Sequence, residues 1–389
     1  MKIIQNLISL QEKTSSTVYI PQFDIIRFFA AFMIVIYHSY IAWKGWFGLP
    51  GVISAGDYKT FSGVGLHVDQ FIRNMPFGVD IFFFISGYLL TYLLVIEKEK
   101  FGKVNVPKFY IRRGLRIWPL YFFLVAVAPL LVNWLGEKQP NYWPTIALVN
   151  NFETIHTQQW TYPFSHFWSI CIEEHFYLIW PLIVAFVPFK KLPVAILGLI
   201  GFSWLYKIST YLFLDSNWYQ LYLHTFSRMD VILLGGLLAV FYIKKPFEFK
   251  LHWSIVVIIS VVLIFLLSFD DMSNYENMLN GVTRKFVYIS LLGLLMMDLL
   301  FNPDRKKAMY RFKPLLYLGK VSYGIYMYGN ILILIVIKKV MYGFGISNIY
   351  FYFLLIFTLS LIVPVISYEL FEKPFLKLKQ RFALVKTRM

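Results

Sequence analysis

The stretch Ile25-Ile26-Arg27-Phe28-Phe29-Ala30-Ala31-Phe32-Met33-Ile34-Val35-Ile36-Tyr37-His38 is apolar except at Arg27 and His38. Read as a helix, the eleven steps between those two residues turn about 1100°, within about 20° of three whole turns. Both side chains therefore project from one face, roughly 16 Å apart along the axis, and Asp24 falls within roughly 60° of that face. Ionisable groups in a membrane helix are expensive, so they face a bundle interior or a watery cavity and mark a functional path. A basic group near one surface and an imidazole deeper in describe a site reached from two sides.

The rest of the chain supports a membrane reading independently. Hydrophobic residues make up 58% of its 389 residues, aromatics 20% and charged residues 15%, whereas a soluble domain carries about 25% charged residues. Mean hydropathy is +0.61. Ten apolar segments recur, at 25–43, 77–96, 114–135, 166–187, 192–214, 227–243, 253–269, 285–301, 315–337 and 349–371. Each approaches the ~20 residues that cross a bilayer. The expected fold is all-α: a polytopic transmembrane helical bundle of about ten spans.

A formal charge of +16 raises the question of nucleic acid, but its distribution answers it. Alternate loops carry 24 Lys and Arg on one side and 7 on the other, a bias that places both termini in the cytoplasm. The basic excess records topology, together with contact to anionic lipid or a phosphorylated ligand; no nucleic-acid partner is expected. The chain divides into a cytoplasmic tail at 1–22, a transmembrane domain at 23–372 and a basic cytoplasmic tail at 373–389. The polar stretch before the first span marks that span as an uncleaved anchor rather than a signal peptide. A single cysteine, Cys171, excludes an intrachain disulfide and a multi-cysteine metal site, and no metal is expected. The outer loop 136–165 carries Trp143, Trp160 and Tyr162 among three prolines; it reads as an ordered cap or re-entrant piece, and its aromatics as an interfacial belt or a substrate contact.

With topology assigned, each intramembrane polar group acquires a depth. Asp24, Arg27, Arg112, Arg113, Arg116, Lys320 and Glu369 lie near the inner surface. His38, Asp80, Glu173, Glu174, Arg228 and Asp230 lie in the outer half. Guanidinium groups at a cytoplasmic mouth suit the phosphates of a donor, and an imidazole near carboxylates suits proton abstraction. Structural readings stand beside these: Arg112, Arg113 and Arg116 as topology determinants, Asp80 as a helix cap, and Arg228 with Asp230 as an ion pair.

Six motifs in order then resemble the integral-membrane acyltransferase 3 family across nearly the whole chain. Arg27 through His38 is similar to its Arg-x10-His signature, and Gly78-Val79-Asp80-Ile81-Phe82-Phe83-Phe84-Ile85-Ser86-Gly87-Tyr88 to its second span. Tyr110-Ile111-Arg112-Arg113-Gly114-Leu115-Arg116-Ile117-Trp118-Pro119 resembles the start of its third span. Phe167-Trp168-Ser169-Ile170-Cys171-Ile172-Glu173-Glu174-His175-Phe176-Tyr177 resembles its W-S-L-x-x-E-x-x-F-Y motif. Arg228-Met229-Asp230 and Gly319-Lys320-Val321-Ser322-Tyr323-Gly324-Ile325-Tyr326 also match. One position departs: Gly329, followed by Asn330, stands where many members have a second histidine.

The resemblance implies an enzyme of the inner (cytoplasmic) membrane. It would transfer an acyl group, most often acetyl, from cytoplasmic acyl-CoA to a hydroxyl of an envelope polysaccharide or lipid-linked sugar. His38 would be general base or acyl carrier, and Glu173 would orient His38 or the sugar. Arg27, Arg112, Arg113 and Arg116 would hold the donor. Asp80, Trp168, Arg228 and Asp230 would contact the acceptor. A transporter or flippase of lipid-linked sugar is the rival reading, although no paired Gly/Pro-interrupted segments in matching halves favour it.

Overall fold

The computed structural model describes residues 17–18, 20–46, 64–213, 218–244, 247–269, 278–384 and 386–387. Ten helices carry the ten apolar segments: α1 (Pro21–Trp46), α2 (Phe77–Phe101), α3 (Val106–Leu135), α4 (Trp168–Phe186) and α5 (Leu192–Phe213). The others are α6 (Thr225–Lys244), α7 (Trp253–Phe269), α8 (Met278–Phe301), α9 (Lys313–Ile335) and α10 (Ile349–Ser367). Among the described residues, eight helices are long and apolar enough to cross a membrane, and Trp253–Phe269 and Phe286–Phe301 are shorter apolar helices. The outward faces carry Phe186, Leu130, Tyr350 and Leu354, which are 81%, 75%, 84% and 67% exposed. Such a ring of apolar side chains is prohibitive in water and is the surface expected against lipid acyl chains. The protein is a multi-pass membrane protein.

Local chemistry sets the helix ends. The Asn105 side chain accepts from the Lys108 amide and Pro107 follows it, a favourable start for α3. Gly102 and Gly136, both at φ 72°, end α2 and α3 in the left-handed conformation that glycine adopts without strain.

Helix α2 packs most extensively on α6, and α1 on α9. Two glycines permit the first of these contacts. A Cβ on Gly87 would sit 1.7 Å from the Ile232 carbonyl oxygen, and one on Gly235 2.0 Å from that of Phe84. Small residues at such crossings let membrane helices approach closely where dispersion replaces the hydrophobic effect. Helix α1 is buried on two sides. Phe23, Ile26, Ala30 and Ile34 join the cluster that contains α2, while Phe28, Ala31 and Val35 pack with α9 and α10.

The loop 136–165 forms short helices at Trp143–Ile146 and Asn150–Thr157. Tyr121 donates to the Thr145 carbonyl at 2.7 Å, and Asn151 to that of Leu223 at 3.2 Å. Beyond α10, a π-helical turn (Tyr368–Glu372) runs into a helix at Lys373–Gln380 that packs on α3. The stretch read as a basic tail therefore begins as part of the bundle. The tails meet where Thr17–Val18 pairs in parallel with Lys386–Thr387; residues 1–16 of the N-terminal tail lie outside the described residues.

Candidate active site

A pocket of about 270 Å³ lies among α1, α2, α3, α4 and α9, closed on one flank by the 368–383 segment. The cationic residues of the lining lie mostly near the helix ends that the loop charges assign to one membrane face. From α1 come Asp24 and Arg27, from α3 Arg112, Arg113 and Arg116, and from α9 Lys320. The π turn after α10 adds Tyr368 and Glu372, and the following helix adds Lys379. Six cationic side chains thus face Asp24, Glu97, Glu173 and Glu372 across the same lining.

Two of the cations are engaged. Arg27 lies 3.8 Å from Asp24, one helical turn away. Arg112 binds Glu97 at 2.8 Å and donates to the Phe382 carbonyl at 3.1 Å. Glu97 also accepts from the Asn105 amide at 2.7 Å, so this ion pair braces the turn between α2 and α3. Arg113 lies over the Tyr177 ring, 4.8 Å from its centroid. Among the described residues, no carboxylate approaches within 4.0 Å of Arg113, Arg116, Lys320 or Lys379. Their positive field suits an anionic ligand, and planar guanidinium groups suit phosphate.

At the deeper end, Glu173 accepts from Ser86 at 2.7 Å and from Tyr177 at 3.0 Å. These bonds fix its carboxylate inside the pocket. The hydrogen-bond partners of Glu173 in this arrangement are Ser86 and Tyr177. Ser169 and Tyr326 also line this end. Tyr326 donates to the His166 carbonyl at 2.6 Å, and the Ser169 hydroxyl lies 2.7 Å from Tyr326 Oη.

His38 does not line this pocket. It is linked to the pocket through a second imidazole: His166 lies 6.4 Å from His38 and 5.2 Å from Tyr326, ring centre to ring centre. The two residues on one face of α1 thus serve different places, Arg27 the pocket and His38 the imidazole pair.

None of the four residues assigned to the acceptor lines the pocket, although Phe83, whose ring lies beside Arg228, does. Asp80 and Arg228 form a buried ion pair at 3.0 Å. The Phe83, Trp168 and Tyr222 rings surround the guanidinium, with centroids 5.5, 5.8 and 5.0 Å away. Asp230 binds Lys207 at 2.5 Å. The pairing of Arg228 with Asp230 is therefore corrected: residues two apart on a helix point to different sides and do not face each other. Asp80, read also as a cap, sits in the first turn of α2 as the partner of Arg228.

Sequence reasoning missed His166, Ser86, Tyr177, Tyr326 and Lys379. Ser86 and Tyr177 lie inside motifs quoted above, and Tyr177 stands four residues from Glu173, the spacing at which helix neighbours meet. Lys379 was absorbed into the topological count. His166 precedes Trp168 in a 3-10 turn and carries no periodic signal.

The sequence profile of an acyltransferase domain matches residues 20–369. The O-acetyltransferase OatA of Staphylococcus aureus is 28% identical over 394 residues, covering 94% of this chain and 58% of the relative. The peptidoglycan O-acetyltransferase OatA of Listeria monocytogenes is 27% identical over 341 residues, covering 80% of this chain and 49% of the relative. The chain thus spans about half to three-fifths of the length of these relatives. No solved structure matches. With the six motifs in order and the profile running from α1 to α10, the chain belongs to the acyltransferase 3 family of membrane proteins.

Proposed function

We propose that this protein is a membrane O-acyltransferase that moves an acyl group, acetyl first among them, from acyl-CoA on the cytoplasmic side to a hydroxyl of an envelope glycan or lipid-linked sugar. The observation that carries the reading is the cation-lined pocket between α1, α3 and α9, whose lining also includes Glu173 and Tyr326. Arg27, Arg112, Arg113, Arg116, Lys320 and Lys379 would hold the donor phosphates. His38 would take the proton of the acceptor hydroxyl as that oxygen attacks the thioester carbonyl. The carbon–sulfur bond then breaks, and the thiolate leaves as thiol with the proton returned from His38. The name of the Listeria relative supports peptidoglycan as one such acceptor. Neither the family nor the relatives support a transporter.

The experiment is acetyl-CoA binding and turnover by purified protein in liposomes with a glycan acceptor. Arg27→Ala should weaken acetyl-CoA binding by about 10–100-fold, the worth of one or two charge-assisted hydrogen bonds. Arg27→Lys should also be impaired, because an ammonium lacks the planar fork. Unchanged donor affinity in both variants would remove Arg27 from the donor site.

The same reading requires the donor pocket to open to the cytoplasm. The 24-to-7 loop bias supports that orientation, and the meeting of the two tails supports one face for both. A reporter fused after Lys386 should be cytoplasmic, and one inserted near Gln139 should lie outside. A C-terminus on the outer face would place the cationic pocket away from cellular acyl-CoA and overturn the assignment.

A further inference from the structure

Two loops carry an aromatic group that the mechanism above does not use. Loop 136–165 holds one lysine and no arginine, and 215–226 holds neither. The loop-charge count assigns both to the outer face, where an envelope glycan lies. Their rings meet although they are distant in sequence. Trp160 lies 6.1 Å from Trp218 and 5.8 Å from Tyr219, centroid to centroid. Trp218 and Tyr219 open the short helix Trp218–Leu223 and stack at 4.2 Å, inclined at 27°. One turn on, Tyr222 lies 5.5 Å from Trp218 and 5.0 Å from Trp168, the first residue of α4. Trp168 in turn stands edge-on to Phe83 at 6.4 Å, and Phe83 lines the cationic pocket. A continuous line of rings thus runs from Trp160, which is 38% exposed, through three half-buried rings to the buried Trp168 and the pocket wall.

The chemistry of these side chains narrows what they hold. Among the described residues, nothing bonds the indole N–H of Trp160 or Trp218, or the Tyr219 hydroxyl. Each therefore presents a flat apolar face with a free polar edge. A pyranose ring has the matching form, with a face of C–H bonds bordered by hydroxyls that donate and accept. A phosphate-rich polymer would need cations here, and the two loops supply one lysine between them. An interfacial belt accounts for the arrangement less well. Belt residues lie around the perimeter at one depth, each in contact with lipid, whereas these rings lie against one another and lead inward.

We infer that Trp160, Trp218 and Tyr219 form a docking platform for the sugar rings of a phosphate-free acceptor glycan, with Tyr222 and Trp168 leading from it towards the pocket. The inference rests on the proposed acyltransferase reading and adds the surface that holds the acceptor. The platform breaks and forms no bond. Its contribution is made equally before and during transfer, so it belongs in the acceptor KM and not in kcat.

The test uses the purified full chain in mixed micelles, at matched folded protein, with fluorescently labelled soluble peptidoglycan strands, the acceptor proposed above. Trp160→Leu and Trp218→Leu keep apolar bulk and remove the flat face. Each should raise both the Kd for the strands and the acceptor KM by about 5–30-fold, the cost of truncating one aromatic anchor. The kcat and the KM for acetyl-CoA should stay unchanged. Trp160→Phe keeps a ring and should remain within about threefold of wild type. Trp143→Leu is the control: Trp143 is 75% exposed in the same loop and lies outside the line of rings, so its loss should change neither constant.

Binding of the strands is read without acetyl-CoA, so it is independent of turnover. Equal effects of Trp143→Leu and Trp160→Leu, or an unchanged Kd in both Trp160→Leu and Trp218→Leu, would overturn the platform and leave acyl transfer by the wild type standing. Strands held by the wild type and weakly held by the variants, with no acetyl transfer at all, would overturn the acyltransferase reading and leave the platform standing. A wild type that neither binds nor acetylates the strands would overturn both.

Discussion

His38→Gln is expected to lose acyl transfer by about 10²–10⁴-fold, the usual contribution of a positioned base, while binding acetyl-CoA as tightly as the wild type. The two halves of that result come from one structural fact. Arg27 lines the cationic pocket, and His38 lies beyond it, joined through His166 and Tyr326. Removing the imidazole therefore leaves the donor contacts in place. Glutamine is the informative replacement, because it keeps hydrogen-bonding capacity but accepts no proton at neutral pH. His38→Ala should be equally inactive and equally well folded. A structural imidazole would give the reverse pattern, with Gln active and Ala poorly folded. The measurement is transfer by purified variants in liposomes, with acetyl-CoA binding measured on the same samples. Substantial activity in His38→Gln would remove both general-base and acyl-carrier chemistry from this residue.

The helices were legible because bilayer thickness imposes a length on them, and that length appears as apolar runs between charged loops. Each of the ten runs falls on a helix. The short helices at Trp143–Ile146 and Asn150–Thr157 hold too few turns to show a period. The cationic pocket was half legible. Arg27, Arg112, Arg113 and Arg116 could be read from motif and depth, but Lys379 reaches the pocket only because the π turn at Tyr368–Glu372 leads the chain back against α3. Nothing in a linear sequence announces that turn. His166 illustrates a different limit. Its significance lies in the Met327 carbonyl and the His38 ring, partners on two distant helices, and a local pattern cannot contain them. The ion pairs failed for a third reason. Arg228 and Asp230 are neighbours in sequence, yet helical geometry turns one to Asp80 and the other to Lys207.

That exchange of partners leads to the second large effect. Arg228→Met is expected to destabilise the protein by about 3–5 kcal/mol, the cost of removing one member of a buried ion pair. Asp80 is 3% exposed and Arg228 1%, so water cannot take the place of the lost guanidinium. Arg228→Lys should recover only part of the loss, because an ammonium does not match the flat face presented to Phe83, Trp168 and Tyr222. Asp80→Leu combined with Arg228→Met should be more stable than Arg228→Met alone, since an apolar pair carries no stranded charge into the bundle. Unfolding free energies in mixed micelles would measure this cycle, and transfer assays on the folded fraction would accompany it. If the pair is architectural, folded Arg228→Met keeps the wild-type KM for the acceptor. If Arg228 binds the acceptor, KM rises in every variant that lacks the guanidinium while stability changes little, and the pair returns to the substrate site.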